Sequence, residues 1–458
     1  MSEKSVASLP RSGSRLLDLH HIGLRMIVIG PLIAVAGGRW GSYLGLPGVP
    51  IYFSDLSVFL GVLFVLLSRL DTRSAALRMS PPPIPRALLV GSFCAGAIFL
   101  IGALRSPGFS IFAIRDSLPF VYFLLIPVFY RAIESLGRER AFRWLRNALL
   151  LHLLWFAPAV FKILPSVTIP LIGGTAAFQP RGDFDLLIGG LTVVVIAMDR
   201  RMPSLLRGAL CLVGSAAILF NGSRAGLISA VVLIAVVALL ERPFSDAKKG
   251  PIRLAVTALA AAPLLLIVVA VTSAPPEWAV ALQKLVPNSS SVYQSGQNTW
   301  TARLDAWALL INYSIDHGST AWLGFGFGAN PVLNSGAVRY LSGDPSVRAA
   351  HDNWVTWFAM VGLVGLCLAI VAFAGWLGLA IRRAIKYRGL NSIGLGLAIG
   401  LLSAASAGVI LESPFGYMTM ALAIALASQR GIDQADPRTQ AQVSRSNALP
   451  QRVAESNG

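Results

Sequence analysis

The sequence contains few charged residues for its length. They make up 13% of the 458 residues, about half the share in an ordinary soluble domain, whereas 55% of the residues are apolar. This composition excludes disorder and a plain soluble enzyme. The apolar residues fall in repeated long runs, each near the length that crosses a bilayer. We therefore predict an all-α, polytopic membrane protein with one membrane domain.

Cysteine and acidic residues are also scarce. The three cysteines lie inside apolar runs, so neither a disulfide framework nor a cysteine-rich metal site is indicated. The 21 acidic residues are outnumbered by 38 Lys and Arg, an excess that would suit nucleic-acid binding. These bases lie between the apolar runs, however, where they set membrane topology and contact anionic lipid. We expect membrane lipids and no nucleic acid as partners.

The apolar runs predict twelve transmembrane helices. In windows of about 19 residues, they lie near 22–38, 52–68, 87–104, 111–130, 145–163, 184–199, 205–220, 224–240, 254–273, 354–380, 392–410 and 413–428. The chain is thereby divided into an N-terminal tail (1–21), helices 1–9 (22–273), a large loop (274–353), helices 10–12 (354–428) and a disordered C-terminal tail (429–458).

Lysine and arginine alternate between the connections. One set of alternate connections, which includes both tails, holds 28 of the 38 bases, and the other set holds nine although it contains the longest loop. Basic loops stay on the cytoplasmic side. We therefore place both tails in the cytoplasm and the loop 274–353 on the periplasmic face of a bacterial inner membrane. The first apolar run lacks a cleavage site and is predicted to be a signal anchor.

The large loop contains an amphipathic helical pattern over 299–317. Its apolar residues at helical spacing are Trp300, Leu304, Trp307, Ile311 and Ile315. Arg303 follows Trp300 by three residues and precedes Trp307 by four, so its guanidinium should point where the tryptophans point. Two interpretations stay open: an arginine that stacks on tryptophan and snorkels to water, or an arginine directed into a binding site.

Further polar residues lie at the outer ends of predicted spans. Arg224 opens one span, and burying an arginine in a bilayer costs about 2.5–3.5 kcal/mol; the neighbouring glycines leave it uncovered, which favours an arginine that faces a cavity. Arg181 precedes another span and forms either a phosphate contact or a polar rim. His351 precedes the tenth span and is either structural, or a general base or orienting acceptor for a hydroxyl. Arg115 and Asp116 are predicted to form a structural pair in which the two charges compensate each other. Because guanidinium groups bind phosphate bidentately, the outer face suits a lipid-linked diphosphate.

The segment LGFGFG (323–328) alternates glycine with apolar residues. Such glycines permit close backbone approach, either to a ligand or to another segment, and packing on the membrane domain is the favoured interpretation. The outer face has no HExxH pair, GxSxG elbow or Asp-x-Asp dyad, so serine-hydrolase and metallohydrolase activities are not supported. We expect neither a metal ion nor a cofactor.

Several motifs in order resemble those of the O-antigen ligase and O-antigen polymerase (Wzy/WaaL-like) superfamily. They are NGSRAGL (221–227), TARLDAW (301–307), LGFGFG (323–328) and AHDNW (350–354) followed by MVGLVGL (360–366). The resemblance implies a GT-C-type membrane glycosyltransferase that transfers an undecaprenyl-diphosphate-linked glycan to a saccharide acceptor on the periplasmic face. The acceptor would be lipopolysaccharide core or a growing polysaccharide such as an exopolysaccharide. It further implies that Arg224 and Arg303 hold the diphosphate and stabilise it as the leaving group, and that His351 activates or orients the acceptor hydroxyl.

Two positions depart from the family pattern. Asp352 follows the histidine where Asn or Ser is common, and it is either the base itself or a group that raises the basicity of His351. Ala359 stands where an acidic residue is common. We assign substrate binding to Asp352, Arg181, Trp300 and Trp307. The alternative functions are a flippase or transporter of lipid-linked glycan, for which a charged path through the spans would be expected, and a non-catalytic assembly protein.

Overall fold

The computed structural model describes residues 12–45, 51–70, 83–172, 176–221, 223–241, 291–408 and 410–431. Regular structure in these ranges is helical, apart from three isolated β-bridges. The helices are α1 (Ser12–Ser42), α2 (Phe53–Leu70), α3 (Arg86–Leu104), α4 (Ile111–Leu124), α5 (Ile126–Leu136), α6 (Arg138–Val160), α7 (Phe184–Met198), α8 (Ser204–Phe220), α9 (Arg224–Glu241), α10 (Ser291–Asp316), α11 (Ser319–Leu323), α12 (Pro331–Asn334), α13 (Val338–Leu341), α14 (Asn353–Tyr387), α15 (Leu390–Ala405) and α16 (Pro414–Ala427). A 3₁₀ turn, Ile410–Glu412, joins α15 to α16.

Helices occupy the predicted spans wherever the structure describes them, and the span 254–273 lies outside the described residues. The first helix starts earlier than predicted, at Ser12. The predicted span 111–130 is a pair, α4 and α5, bent by 50°. Pro127 in the first turn of α5 explains the break, because proline has no N–H to continue the hydrogen bonding of α4.

Hydropathy and length identify a multi-pass membrane protein. Four helical stretches in the described ranges are long and apolar enough to cross a bilayer, and the bent pair makes up to five. They are Leu19–Ser42, α3, α9 and α14. Shorter apolar helices are Phe53–Ser68 within α2, α7, α8, α15 and α16. The twelve-span layout and the periplasmic placement of the loop stay predictions.

Two helices form the centre of the bundle. α16 is buried along its whole length and α7 along all but its last residue. α16 packs against α1 and α15, and α7 against α8, α9 and α15. Large apolar side chains on other helices face outward: Phe93, Leu154, Leu212 and Leu239 are each at least 70% exposed. Lipid covers such side chains without penalty, so this surface agrees with a membrane environment.

The glycine-rich segment packs on the membrane helices, which confirms the favoured interpretation. Gly324, Gly326 and Gly328 have φ of 72°, 86° and 83°. The N–H groups of Phe325 and Gly326 donate to carbonyls of α14 at 2.8 and 2.9 Å, close to where α14 is broken at Gly362. A Cβ atom on Gly324 would overlap the α14 backbone. Glycine is therefore required for this contact between backbones.

Asp116 is paired differently from the prediction. Its carboxylate accepts a hydrogen bond from Gly328 N–H at 2.9 Å and forms an ion pair with Arg348 at 3.6 Å. Arg348 also stacks over the ring of Phe112 at 4.3 Å. Arg115 does not form the direct pair, because consecutive residues of a helix point in different directions. Asp116 of α4 thus binds both Gly328, which follows α11, and Arg348, which follows α13.

Two glycine substitutions test the backbone contact. Gly326→Ala should lower the free energy of unfolding by more than about 4 kcal/mol, because the methyl group would overlap the backbone of Arg105. Gly343 has a similar φ of 72° but nothing within 4 Å of an added Cβ, so Gly343→Ala should cost only about 1–2 kcal/mol. Unfolding of the purified full chain in mixed micelles measures both. Equal destabilisation by the two variants would contradict the packing role.

Candidate functional site

A glycine contact brings the turn before α7 against the start of α9. A Cβ atom on Gly226 would overlap the carbonyl of Gly182, and one on Gly182 would overlap the side chain of Ser223. The Ser223 hydroxyl donates to Asp183 Oδ1 at 3.1 Å. The role of Gly226 is therefore packing, rather than leaving Arg224 uncovered as the sequence suggested. This contact places Asp183 beside the first turn of α9.

The buried face of α10 differs from the predicted stripe. Trp300, Leu304 and Ile315 are 44%, 44% and 54% exposed, whereas Ala306, Leu310 and Ser314 are fully buried. The small side chains of Ala306 and Ser314 allow the close approach of neighbouring segments. Arg303 precedes Ala306 by three residues and lies toward the buried face. Its Nη1 donates to the carbonyl oxygen of Ala407 at 2.8 Å.

The two tryptophans of α10 contact each other and the chain before α14. Trp307 Nε1–H donates to the carbonyl of Ala350 at 2.6 Å. The ring of Trp300 packs edge-to-face on Trp307 with centroids 5.6 Å apart. The indole of Trp307 therefore positions the backbone directly before His351. Its predicted contact with substrate stays a prediction, as does that of Trp300.

His351 sits on a constrained backbone. Its φ is +56°, in the left-handed region, which a residue with a side chain occupies at some cost. Burial lowers the pKa of His351 below its ordinary 6.5, the positive charge of Arg303 lowers it further, and Asp183 opposes them. The imidazole is therefore neutral near pH 7 and able to accept a proton.

Asp352 caps α14. Its Oδ1 accepts a hydrogen bond from Val355 N–H at 2.9 Å, and the side chain is buried. Burial raises the pKa of this carboxyl group, while hydrogen bonds from the backbone of Val355 and Trp354 lower it. Asn and Ser, which the family often has here, are also favoured N-cap residues. The cap thus accounts for Asp352 without a catalytic role.

Arg303 lies within electrostatic range of Arg224, His351 and Asp183. Burial lowers the pKa of Arg303, the charge of Arg224 lowers it further, and Asp183 opposes the shift. Arg303 and Asp183 both influence His351. These four residues, here called the arginine–histidine cluster, come from the turn before α7, the start of α9, the middle of α10 and the chain before α14. The three residues predicted as catalytic are therefore brought together.

A polar cavity of about 430 Å³ adjoins the cluster. Its lining includes Asp183 and the predicted site residue Arg181, and also Arg39, Asn221 and Ser223. Neither Asp183 nor Arg39 was predicted as a site residue. Asp183 shares a sequence signal with Arg224 and Asp352, since each is a charged residue directly before or at the start of an apolar helix. Arg39 has the weaker signal of a base at the outer end of a span.

Asn353 and Glu412 also escaped the sequence analysis. Asn353 Nδ2 donates to Glu412 Oε1 at 3.1 Å, and Leu411 N–H donates to Asn353 Oδ1 at 3.1 Å. Burial raises the pKa of Glu412 to about 8, with Asp116 as a further cause. These bonds join the start of α14 to the 3₁₀ turn and so fix the segment that carries His351.

The arrangement combines anion binding with proton acceptance. Guanidinium groups remain protonated even where burial lowers their pKa, and in a half-buried site their field is stronger than in water. A neutral imidazole beside them can accept a proton. Among the residues that the structure describes, no group of three or more His, Cys, Asp or Glu residues is placed to bind a metal ion.

The fold and the cluster define a helical, multi-pass membrane protein with a polar, arginine-rich site. Residues 209–370 match the family model of the O-antigen ligases, and they supply Arg224, Arg303 and His351. Over this segment the chain is similar to the O-antigen ligases, which confirms the resemblance predicted from the motifs. No curated protein sequence matches the chain significantly. Asp183, Arg181 and Arg39 lie outside the matched residues.

The titration of His351 tests the electrostatics of the cluster. Asp183→Asn should lower the pKa of His351 further, since it removes the opposing negative charge, and Arg303→Gln should raise it, since it removes a positive one. NMR of the histidine-labelled full chain, assigned with His351→Gln, measures both. Asp344→Asn, an exposed acid in the same loop, should leave the pKa unchanged. Shifts of the same sign in Asp183→Asn and Arg303→Gln would contradict the arrangement.

Proposed function

We propose that the chain is a membrane glycosyltransferase of the ligase or polymerase type. It transfers a glycan from undecaprenyl diphosphate to a saccharide acceptor, lipid A–core or a growing polysaccharide, on the periplasmic face of the inner membrane. The observation that carries the proposal is the convergence of Arg224, Arg303 and His351, from three separate segments, at one polar site within the family-matched region. We find no observation that favours a flippase.

The guanidinium groups of Arg224 and Arg303 bind the diphosphate of the donor. Negative charge grows on the diphosphate as its bond to the sugar breaks, and fixed positive groups stabilise that charge in the transition state. Arg303 is held by its hydrogen bond to the Ala407 carbonyl, so it is already oriented before the substrate arrives. Charge stabilisation of this kind needs neither a metal ion nor a nucleotide sugar.

His351 accepts the proton of the acceptor hydroxyl. The hydroxyl oxygen forms a bond to the anomeric carbon while the bond from that carbon to the diphosphate oxygen breaks, and the proton passes to the imidazole. Asp183 stabilises the imidazolium ion that results. The proton then leaves to water or to the diphosphate. Direct attack inverts the configuration, so an α-linked donor sugar gives a β-linked product.

An assay in proteoliposomes tests the site assignment. With a lipid-linked oligosaccharide and candidate acceptors, Arg224→Ala and Arg303→Ala should each lower kcat/KM by about 10- to 100-fold, the equivalent of one charge-assisted hydrogen bond, and His351→Ala by about 100-fold or more. Arg339→Ala provides the matched control, because Arg339 is an arginine of the same loop that stacks over Tyr340.

Undiminished product from Arg224→Ala, Arg303→Ala and His351→Ala at equal protein level would refute the assignment. Product length separates the two subclasses, since a polymerase gives a ladder of repeats and a ligase a single transfer. Movement of the lipid-linked glycan across the bilayer without any product would support the flippase instead.

The proposed topology makes the loop and the cluster periplasmic. In a Cys367→Ser background, a cysteine at Asp344 should react with a membrane-impermeant maleimide in intact cells, and a cysteine at Arg200 should react only after the membrane is opened. Cys94 and Cys211 are buried and give little background. Labelling of the Arg200→Cys variant in intact cells would show that the proposed orientation is wrong, and it would exclude a periplasmic site.

A further inference from the structure

The polar cavity beside the cluster has the character of a binding site in its own right. Its volume of about 430 Å³ lies within the range of small-molecule sites, about 300–1,000 Å³. Asn221, Ser223 and Ser413 supply amide and hydroxyl groups, and Phe184 and Phe415 supply ring surface. Hydroxyl and amide groups beside aromatic rings suit a sugar, which has polar edges and apolar faces.

One buried carboxylate aligns two arginines at this cavity. Asp185 is fully buried. Its Oδ1 accepts a hydrogen bond from Arg39 N–H at 2.9 Å, and its Oδ2 accepts one from Arg181 N–H at 2.7 Å. Gly38, with φ of 59°, interrupts α1 to allow this, and a Cβ atom there would overlap Asp185. The carboxylate therefore fixes the backbone of both arginines through their N–H groups.

The two guanidinium groups carry no direct acidic partner within the described part of the chain. Neither Arg39 nor Arg181 forms an ion pair there, and Arg39 Nε is buried without a hydrogen-bond partner. Arg39 lies over the ring of Tyr43 at 5.9 Å. Burial lowers the pKa of Arg181 and the charge of Arg39 lowers it further, against Asp183 and Asp185. Two like charges at one cavity attract an anion that is shared between them.

We propose that this cavity binds an anionic sugar residue, a hexose that carries a carboxylate or a phosphate, through the side chains of Arg39 and Arg181. The inference rests on the proposed function, in which Arg224 and Arg303 already hold the donor diphosphate. Asp183 lines the cavity and also influences His351 and Arg303, so the bound residue lies next to the bond that is made. The sugar belongs either to the donor glycan or to the acceptor.

Binding of simple sugars to the purified full chain tests the cavity. Glucose 6-phosphate and glucuronate are the anionic probes, glucose is the neutral control, and calorimetry or ligand-observed NMR gives the affinities. Both anionic sugars should bind about tenfold or more tightly than glucose. Arg39→Gln and Arg181→Gln should each weaken them about tenfold or more, while Arg339→Gln should leave them unchanged.

Arg39→Lys separates charge from geometry, because lysine keeps the charge but loses the bidentate fork; affinity should fall between those of the wild type and Arg39→Gln. These substitutions leave the backbone bonds to Asp185 in place, and unchanged thermal unfolding verifies that each variant is folded. Equal affinity for glucose and for the anionic sugars, or wild-type affinity in both Gln variants, would overturn the proposal.

Farnesyl diphosphate, a short prenyl diphosphate, distinguishes this inference from the proposed function. Its binding should weaken in Arg224→Gln and Arg303→Gln and persist in Arg39→Gln. Insensitivity to Arg224 and Arg303 would refute the diphosphate assignment while the sugar result stands. Loss of farnesyl diphosphate binding instead of sugar binding in Arg39→Gln would overturn the inference.

In the transfer assay, Arg39→Gln should raise one KM about tenfold. A raised KM for the donor assigns the anionic sugar to the donor glycan, and a raised KM for the acceptor assigns it to the acceptor. Substrates without an anionic sugar provide the matched control, since their KM values should not change. Equal increases with charged and uncharged substrates would contradict the proposal.

Discussion

The close contact between Gly182 and Gly226 is the constraint on which the site depends. With any side chain at either position, the turn before α7 and the first turn of α9 would move apart. A hydrogen bond from Ser223 to Asp183 joins the two elements at this separation. Asp183 then balances positive charge that α9 and α10 contribute. Two residues without side chains thus determine where an anion can be held and where a proton can be accepted.

The sequence predicted the positions of the helices well, because long apolar runs leave few alternatives in a bilayer. It also predicted Arg224, Arg303 and His351 as site residues, and the structure places Arg303 within electrostatic range of the other two. Their catalytic roles stay predictions. It did not show which face of α10 would be buried. The periodicity of large apolar residues marks the face of Trp300 and Leu304, whereas the structure buries Ala306 and Ser314, and small residues give no strong periodic signal.

Asp183 and Arg39 show a second limit of the sequence. Each lies far along the chain from the motifs, and only the packing of α1, α7 and α9 reveals that both border one cavity. The sequence analysis likewise did not predict a role for Asp185, although its carboxylate joins the backbone of Arg39 and Arg181. In contrast, Trp307 and Asp352 carried strong signals and turn out to position the backbone around His351. Both residues therefore support the backbone at the candidate site.

The cavity is lined by Arg39, which lies early in the chain, and by Phe415, which lies more than 370 residues later. Arg39 belongs to α1, Phe184 to α7 and Phe415 to α16, so helices far apart along the chain must pack together before this wall is complete. A chain without α16 would consequently lack part of this wall. The proposed sugar binding at this cavity therefore depends on the packing of α16 against helices that precede it in the chain.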